Sequence, residues 1–236
     1  MSRDDKDRFD YLAFYDHFRS PPAELKTHQA VFLDYFQGCH NVLDIGCGRG
    51  EFLELLGASG IGGRGIDVDP AMVRLCRTRG LDVEEADAVV YLEQAMDGDF
   101  DGIFSDQVIE HLDPGYVYRL LGLCHDKMTE GKVLVIKTIN PLSLATFTDF
   151  YLDATHTRPV HPEALKYMVG SLGFTDITMK FLSRVPDRER LNKFELSPGL
   201  TDRERRMAEI YNRNIDLLNR WLFGAEDYAV IARKKA

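Results

Sequence analysis

The chain has 236 residues, 44% of them hydrophobic, and a net charge of −9. That length and apolar content suit one compact domain with a full core. The acidic balance is a poor match for phosphate backbones, which disfavours nucleic acid as a partner, and no apolar run reaches the ~20 residues of a membrane span. The start, MSRDDKDRFD, is charged and lacks the apolar stretch of a secretory leader. Cys39, Cys47, Cys76 and Cys124 show no CxxC spacing and read as reduced thiols of a cytoplasmic protein.

Residues 1–40 read as a helical cap. HQAVFLDYF continues a helix to Phe36, with Ala30, Phe32, Leu33 and Phe36 on one stripe, after a proline-marked start in FRSPPAEL. From residue 41 a regular alternation sets in. NVLDIG is a strand and GEFLELLGASG a helix closed by glycine; GRGIDVD is a strand and PAMVRLCRTRG a helix with proline in its first turn. LDVEEAD, FDGIFSD and GKVLVIKTI are three further strands, separated by the helices AVVYLEQAM and YVYRLLGLCHDKM. Strands and helices joined by short links imply parallel strands with right-handed crossovers, an α/β doubly wound, Rossmann-like sheet. Residues 140–161 form a long loop before the helix PEALKYMVGSLGF. TDITMKFLSRV is a sixth strand and DYAVIARKK the last. Between them, residues 186–224 read as a helical insertion of the 41–236 domain, open to packing on the N-terminal helix, a substrate lid or a homodimer contact.

The loop after the first strand carries Gly46, Cys47, Gly48 and Gly50, a GxGxG spacing in which backbone can meet a ligand closely. The dinucleotide fingerprint GxGxxG would need glycine where Glu51 stands. Asp44, just inside the strand, suits an ammonium or sulfonium ligand and fits a pyrophosphate badly. Asp67 ends the second strand, where a carboxylate accepts both hydroxyls of a ribose. Asp87 follows the third strand, within reach of an adenine amino group. Taken singly, each acidic residue could equally form a turn or cap a helix.

VLDIGCGRGEF, GIDVDPAMV, EADAVVYL, FDGIFSDQVIEHL and GKVLVIKTINP resemble the successive motifs of class I S-adenosylmethionine-dependent methyltransferases over residues 41–139. The resemblance implies a seven-stranded sheet with an antiparallel last strand. It places Gly46, Gly48 and Gly50 along the methionine part, Asp67 on the ribose, Val68 near the adenine, and Asp87 and Ala88 at its edge. Asp106 and Gln107 then lie beside the methyl group. The flanks FRSPPAELKTHQAVFLDYF and TDFYLDATHTRPVHPEAL are similar to methyltransferases of polysaccharide biosynthesis, those that cap O-antigen chains or act on mannose polysaccharides. That implies an acceptor that is a sugar hydroxyl or a terminal phosphate. Arg19 falls in the FR of this pattern, open to the cofactor's carboxylate, an anionic acceptor or solvent.

A sugar hydroxyl is a weak nucleophile and calls for a base. His111 follows the fourth strand, and His156 sits on the long loop with Asp153 placed to orient it. His161 reads as the N-terminal neighbour of its helix. For a phosphate acceptor no base is needed and Arg158 gains weight. Phe147, Phe150 and Tyr151 would suit a planar quinone or phenol as readily as a sugar face. In ubiquinone-pathway O-methyltransferases a related segment, two glutamates and a histidine, binds a divalent ion. Here Gln107 replaces the first glutamate, leaving Glu110 and His111, with Asp106 and Asp153 as substitutes suited to magnesium.

Overall fold

The computed structural model describes residues 10–236; the first nine residues of the 1–40 cap lie outside the described residues. Seven strands, β1 (Val42–Ile45), β2 (Gly63–Asp67), β3 (Val83–Glu85), β4 (Phe100–Asp106), β5 (Met128–Ile139), β6 (Phe174–Arg184) and β7 (Ala225–Lys234), form one sheet. Its order is β3-β2-β1-β4-β5-β7-β6. The first five strands run parallel, and β7 pairs antiparallel with both β5 and β6. Strand order reverses at β1, between β2 and β4, and this opens a crevice at the carboxyl ends of those strands.

The described helices are α1 (Tyr11–Phe18), α2 (Pro22–Ala30), α3 (Glu51–Ala58), α4 (Pro70–Thr78), α5 (Ala88–Gln94), α6 (Pro114–Lys127), α7 (Thr146–Leu152), α8 (Pro162–Ser171) and α9 (Asp202–Leu222). Several begin at side-chain caps: Asp69 accepts from the amides of Ala71 and Met72, Asp87 from Val90, and Asp113 from Gly115. Thr201 and Glu204 form a reciprocal capping box on α9. His161 caps α8 through its ring, as its position before Pro162 implies.

Alternation along the strands divides the core. Leu43, Ile45, Ile103, Leu134 and Ile136 belong to one buried face, with residues of α5, α6 and α8. Val42, Phe104, Val133 and Val135 belong to the other, with Phe32, Phe36 and Phe52. There Phe52 stacks on Phe104 at 3.7 Å between ring centroids, and Phe36 meets Phe52 edge-on at 5.5 Å. Each such ring contributes about 1.5–3 kcal/mol by leaving water.

Three details differ from the sequence reading. The helix expected to reach Phe36 ends at Ala30, and Leu33–Phe36 form a separate 3-10 turn that delivers Phe32 and Phe36 to the core. The long loop contains the helix α7. The insertion's long helix is α9, and its asparagines are hydrogen-bonded within the insertion itself: Asn212 bonds the backbone of Phe194, and Asn219 that of Leu191.

Candidate active site

A cavity of about 610 Å³ opens at the carboxyl edge of the sheet over β1, β2 and β4, roofed by Tyr11, Tyr15 and Arg19 from the N-terminal segment. Its floor is the loop after β1. The amides of Gly46 and Cys47 both donate to Ile66 O, which draws the loop onto β2. Gly46 has φ +68°, and a Cβ there would collide with Val108. Gly48, at φ +53°, has only Tyr15 Oη within reach, at 3.8 Å, so its Cα faces open cavity. Gly50, by contrast, abuts Leu81 and Cys76, and the buried Cys47 side chain sits off the cavity wall. These two shape the loop from behind.

Asp67 lies on the wall. Its Oδ2 accepts from Gly48 N (2.9 Å) and its Oδ1 from Asp69 N (2.8 Å), leaving each oxygen a further lone pair. Burial raises its carboxyl, against the lowering effect of these amides. Val68, Ala88 and Asp87 continue the wall. Asp87 does double duty: Oδ1 caps α5, and Oδ2 accepts from Tyr116 Oη at 2.7 Å, which brings the Tyr116 ring into the lining. Asp44 is buried just beneath, off the wall itself, with no hydrogen-bond partner among the described residues. Burial, then the neighbouring Asp106 and Asp67, push its carboxyl well above the usual range. Carboxylates so crowded favour a cationic ligand.

At the other end, Asp106 and Gln107 form the turn after β4. Asp106 accepts from Lys137 Nζ (2.8 Å) and Gln29 Nε2 (3.0 Å). Gln107 adopts φ +58°, and its Nε2 donates to Asp227 Oδ1 at 2.7 Å. Burial alone would lower the Lys137 ammonium, but Asp106 and Asp227 hold it charged. Arg19 lies with its guanidinium 5.0 Å from the Tyr15 ring centre and has no carboxylate within ion-pair distance among the described residues. Burial alone would lower its guanidinium, but its surroundings, Tyr15 and Asp106 foremost, outweigh that effect. Arg49 ties the roof to the floor, pairing with Glu51 Oε1 (2.7 Å) and with Asp16 of α1 (2.8 Å).

His111 is on the wall and belongs to a hydrogen-bonded chain. Thr155 Oγ1 lies 2.9 Å from His111 Nδ1 and 2.6 Å from Asp153 Oδ1, while Tyr11 Oη donates to Asp153 Oδ2 at 3.0 Å. The single hydroxyl proton of Thr155 goes to the carboxylate, so Thr155 accepts from His111 Nδ1–H. His111 Nε2 then carries the lone pair. Burial first, then the neighbouring His156, push His111 down to about 4. Burial would raise Asp153, but hydrogen bonds from Thr155 and Tyr11 bring it below its usual value.

His156 stands behind His111, 4.5 Å between ring centroids, and does not line the cavity. Its ring stacks on Phe150, its Nδ1 donates to Phe150 O at 2.8 Å, and its buried Nε2 has no partner among the described residues. Asp153 Oδ2 lies 4.0 Å from that nitrogen. Burial lowers the imidazole. Glu110 is fully buried: Oε2 accepts from Thr138 (2.8 Å), Oε1 has no partner among the described residues, and burial pushes its carboxyl up to about 7. Glu110, His111 and His156 offer ligand atoms within 4.8 Å of one another. Asp106, expected to share a metal site with Glu110 and His111, is engaged by Lys137 instead, and His156 takes its place. Two imidazoles and one carboxylate suit a borderline divalent ion better than magnesium.

Phe147, Phe150, Tyr151 and Arg158 do not line the cavity; Tyr151 and Arg158 are exposed. Sequence reasoning passed over Tyr11, Tyr15, Tyr116, Thr155, Lys137 and Asp227. Only Lys137 left a visible signal, as a charge inside the apolar run KVLVIKTI.

The profile of a family described as "Methionine biosynthesis protein MetW" matches residues 26–121. The probable S-adenosylmethionine-dependent methyltransferase Rv3030 of Mycobacterium tuberculosis is 27% identical over 65% of this chain and 56% of its own length. A ubiquinone biosynthesis O-methyltransferase of Xylella fastidiosa is 32% identical over 54% of each chain. The chain thus spans about half the length of the curated relatives it matches. Haemonchus contortus phosphoethanolamine N-methyltransferase 2, solved with S-adenosyl-L-methionine, shares the fold alone: TM-score 0.61 and 16% identity, over 98% of this chain and 61% of that one. The crystal structure of a SAM-dependent methyltransferase from Archaeoglobus fulgidus aligns over 96% of this chain and 100% of its own, with a TM-score of 0.90 and 39% identity. Near-complete overlap at that identity, on a sheet whose crevice carries the glycine loop and Asp67, makes this chain a member of the S-adenosylmethionine-dependent methyltransferases.

Proposed function

We propose that the chain is an O-methyltransferase acting on a hydroxyl of a small polar acceptor, a saccharide by preference. The observation that carries this reading is His111 on the cavity wall, its Nε2 lone pair directed by the Thr155–Asp153 chain. S-adenosylmethionine supplies an activated methyl group on sulfur, so the protein has chiefly to align the acceptor and remove its proton. Alignment can contribute roughly 7–11 kcal/mol, and a positioned base typically about 10²–10⁴-fold. As the acceptor oxygen takes the methyl group it becomes strongly acidic. A neutral imidazole held near 4 is then base enough to receive the proton at Nε2. In this reading Asp67 holds the ribose, and Arg19, without an ion pair among the described residues, meets the cofactor's carboxylate or an anionic acceptor such as a terminal phosphate. Tyr11, Tyr15 and Thr155 give the methyl end a hydroxyl-rich wall that suits a polyol.

A second reading, a quinone or phenol acceptor, draws on the ubiquinone-pathway relatives. Its planar-ring platform of Phe147, Phe150 and Tyr151 is not on the cavity wall. A borderline divalent ion on Glu110, His111 and His156 would polarise the acceptor oxygen as a Lewis acid. Methyl-transfer assays against short oligosaccharides, phosphorylated sugars and catechols, with and without chelator, separate these readings. Turnover on saccharides is expected, and activity confined to catechols would reject the saccharide assignment.

A further inference from the structure

Helix α9 carries apolar residues on the side opposite its packed face. Its packed side includes Asn212, Ile215 and Asn219. Ile210, Leu217 and Trp221 each lie two residues from one of these, about 200° around the helix at ~100° per residue. All three are exposed, Leu217 by 50% and Trp221 by 65%, with Met207 and Leu218 exposed alongside. A surface helix normally turns charged residues outward; this one turns out an apolar stripe. The amides of Leu144 and Ala145 bond to the carbonyls of Trp221 and Leu222, which fastens the stripe's end to the loop leaving β5. That is the edge of the sheet where the cavity opens.

The charges beside the stripe select its partner. Arg206, Arg213 and Arg220, spaced by seven, form one row along one flank. All three are exposed, and none makes an ion pair among the described residues, whereas the nearby Asp216 is engaged by Lys193. Residues 186–224 carry eight Lys or Arg against seven Asp or Glu, in a chain of net charge −9. An antiparallel two-fold pairing of α9 with a second copy would set the arginine row against itself. Unpaired arginines bordering an apolar stripe that ends in tryptophan suit a surface that is anionic outside and apolar beneath.

We propose that the exposed face of α9 docks the protein peripherally on an anionic lipid surface, with Ile210, Leu217 and Trp221 entering the interface and Arg206, Arg213 and Arg220 meeting the headgroups. No described helix is long and apolar enough to cross a membrane, so this is attachment and not insertion across it. The proposal stands apart from the methyl-transfer reading, because it can be tested without turnover.

Trp221 is the chain's single tryptophan and serves as the probe. Titrating full-length protein with mixed phosphatidylglycerol–phosphatidylcholine vesicles should shift its fluorescence to the blue and carry the protein into the vesicle pellet. Pure phosphatidylcholine should do neither. Replacing the three arginines by glutamine should weaken binding by about 100-fold. Leu217→Ser with Ile210→Ser should abolish the blue shift while leaving cofactor affinity, measured by calorimetry, unchanged, which shows the variant folded. Absence of partitioning into anionic vesicles would overturn the proposal. So would a light-scattering dimer of the wild type that the Leu217→Ser, Ile210→Ser variant dissolves.

Discussion

Asp227, on the antiparallel last strand, reaches across the sheet to accept a 2.7 Å hydrogen bond from Gln107, the residue that follows β4 at φ +58°. A non-glycine residue in that region costs on the order of 1 kcal/mol, and a surrounding network must hold it there. The network is Lys137 between Asp106 and Asp227, with Ser183 donating to Asp227 Oδ2 at 2.7 Å. The last strand thus fixes the turn that Asp106 and Gln107 contribute to the cavity wall.

Asp227→Ala should therefore lower kcat by about 10–100-fold while KM changes little, because alignment and not binding is lost. It should also cost about 1–3 kcal/mol of stability, because Gln107 Nε2 and Ser183 lose their acceptor and Lys137 keeps only Asp106. Asp227→Asn, which keeps an acceptor for Gln107, should recover most of the turnover. Steady-state kinetics and urea unfolding read both effects; wild-type kcat in the alanine variant would remove Asp227 from the account.

His111→Ala should reduce turnover by about 10²–10⁴-fold without weakening cofactor binding. His156→Ala also loses turnover, but less, because His156 acts through the ring in front of it. The imidazole of His111 is neutral above about 4, so the rate it supports should rise as pH increases through that value and then stay level. A pH–rate profile of the wild type with an inflection near 6.5, absent from His111→Ala, would contradict this.

Glu110 sets a stability window. Its carboxyl is raised from an ordinary 4.5 to about 7, so the folded state holds the proton more tightly than the unfolded chain does. The stability it contributes is fully present below about 4.5 and is lost as pH rises through about 7. Glu110→Gln should flatten that slope and, at pH about 8, exceed the wild type by about 3 kcal/mol. Urea midpoints on either side of the window test it. A glutamine variant less stable at the higher pH would show that a cation compensates the ionised carboxylate.

Cofactor binding should depend on pH through Asp44. Its carboxyl is held well above the usual range by burial and by Asp106 and Asp67, so a proton must leave before it acts as an anion beneath the cavity floor. Affinity for S-adenosylmethionine should therefore rise with pH through that titration, while affinity for the uncharged product thioether should follow pH less steeply. Asp44→Asn should bring the two dependences together. Parallel curves for both ligands in the wild type would refute the role.

The strands, the glycine loop and the acidic residues at successive strand ends were legible because each is local: an apolar run, a turn, a carboxylate at a fixed offset. Phe32 and Phe36 fit a helical stripe in sequence, yet they reach the core from a 3-10 turn, a local tightening that the spacing of apolar residues does not encode. Asp227 and Lys137 could not be paired with Gln107 and Asp106 from sequence, since their contacts span 120 and 31 positions. Thr155 was invisible between two more conspicuous candidates, Asp153 and His156. The carboxylate orients His111 through the threonine hydroxyl, and not His156 directly as their spacing implied.

The central claim is that the cavity over Gly48 and Asp67 takes S-adenosylmethionine. Isothermal calorimetry on the purified chain tests it most directly. The account predicts saturable heat at one site per chain, weakened by at least about tenfold in Asp67→Ala, which loses hydrogen bonds to the ribose. Absence of heat from the wild type, or wild-type affinity in Asp67→Ala, would contradict it.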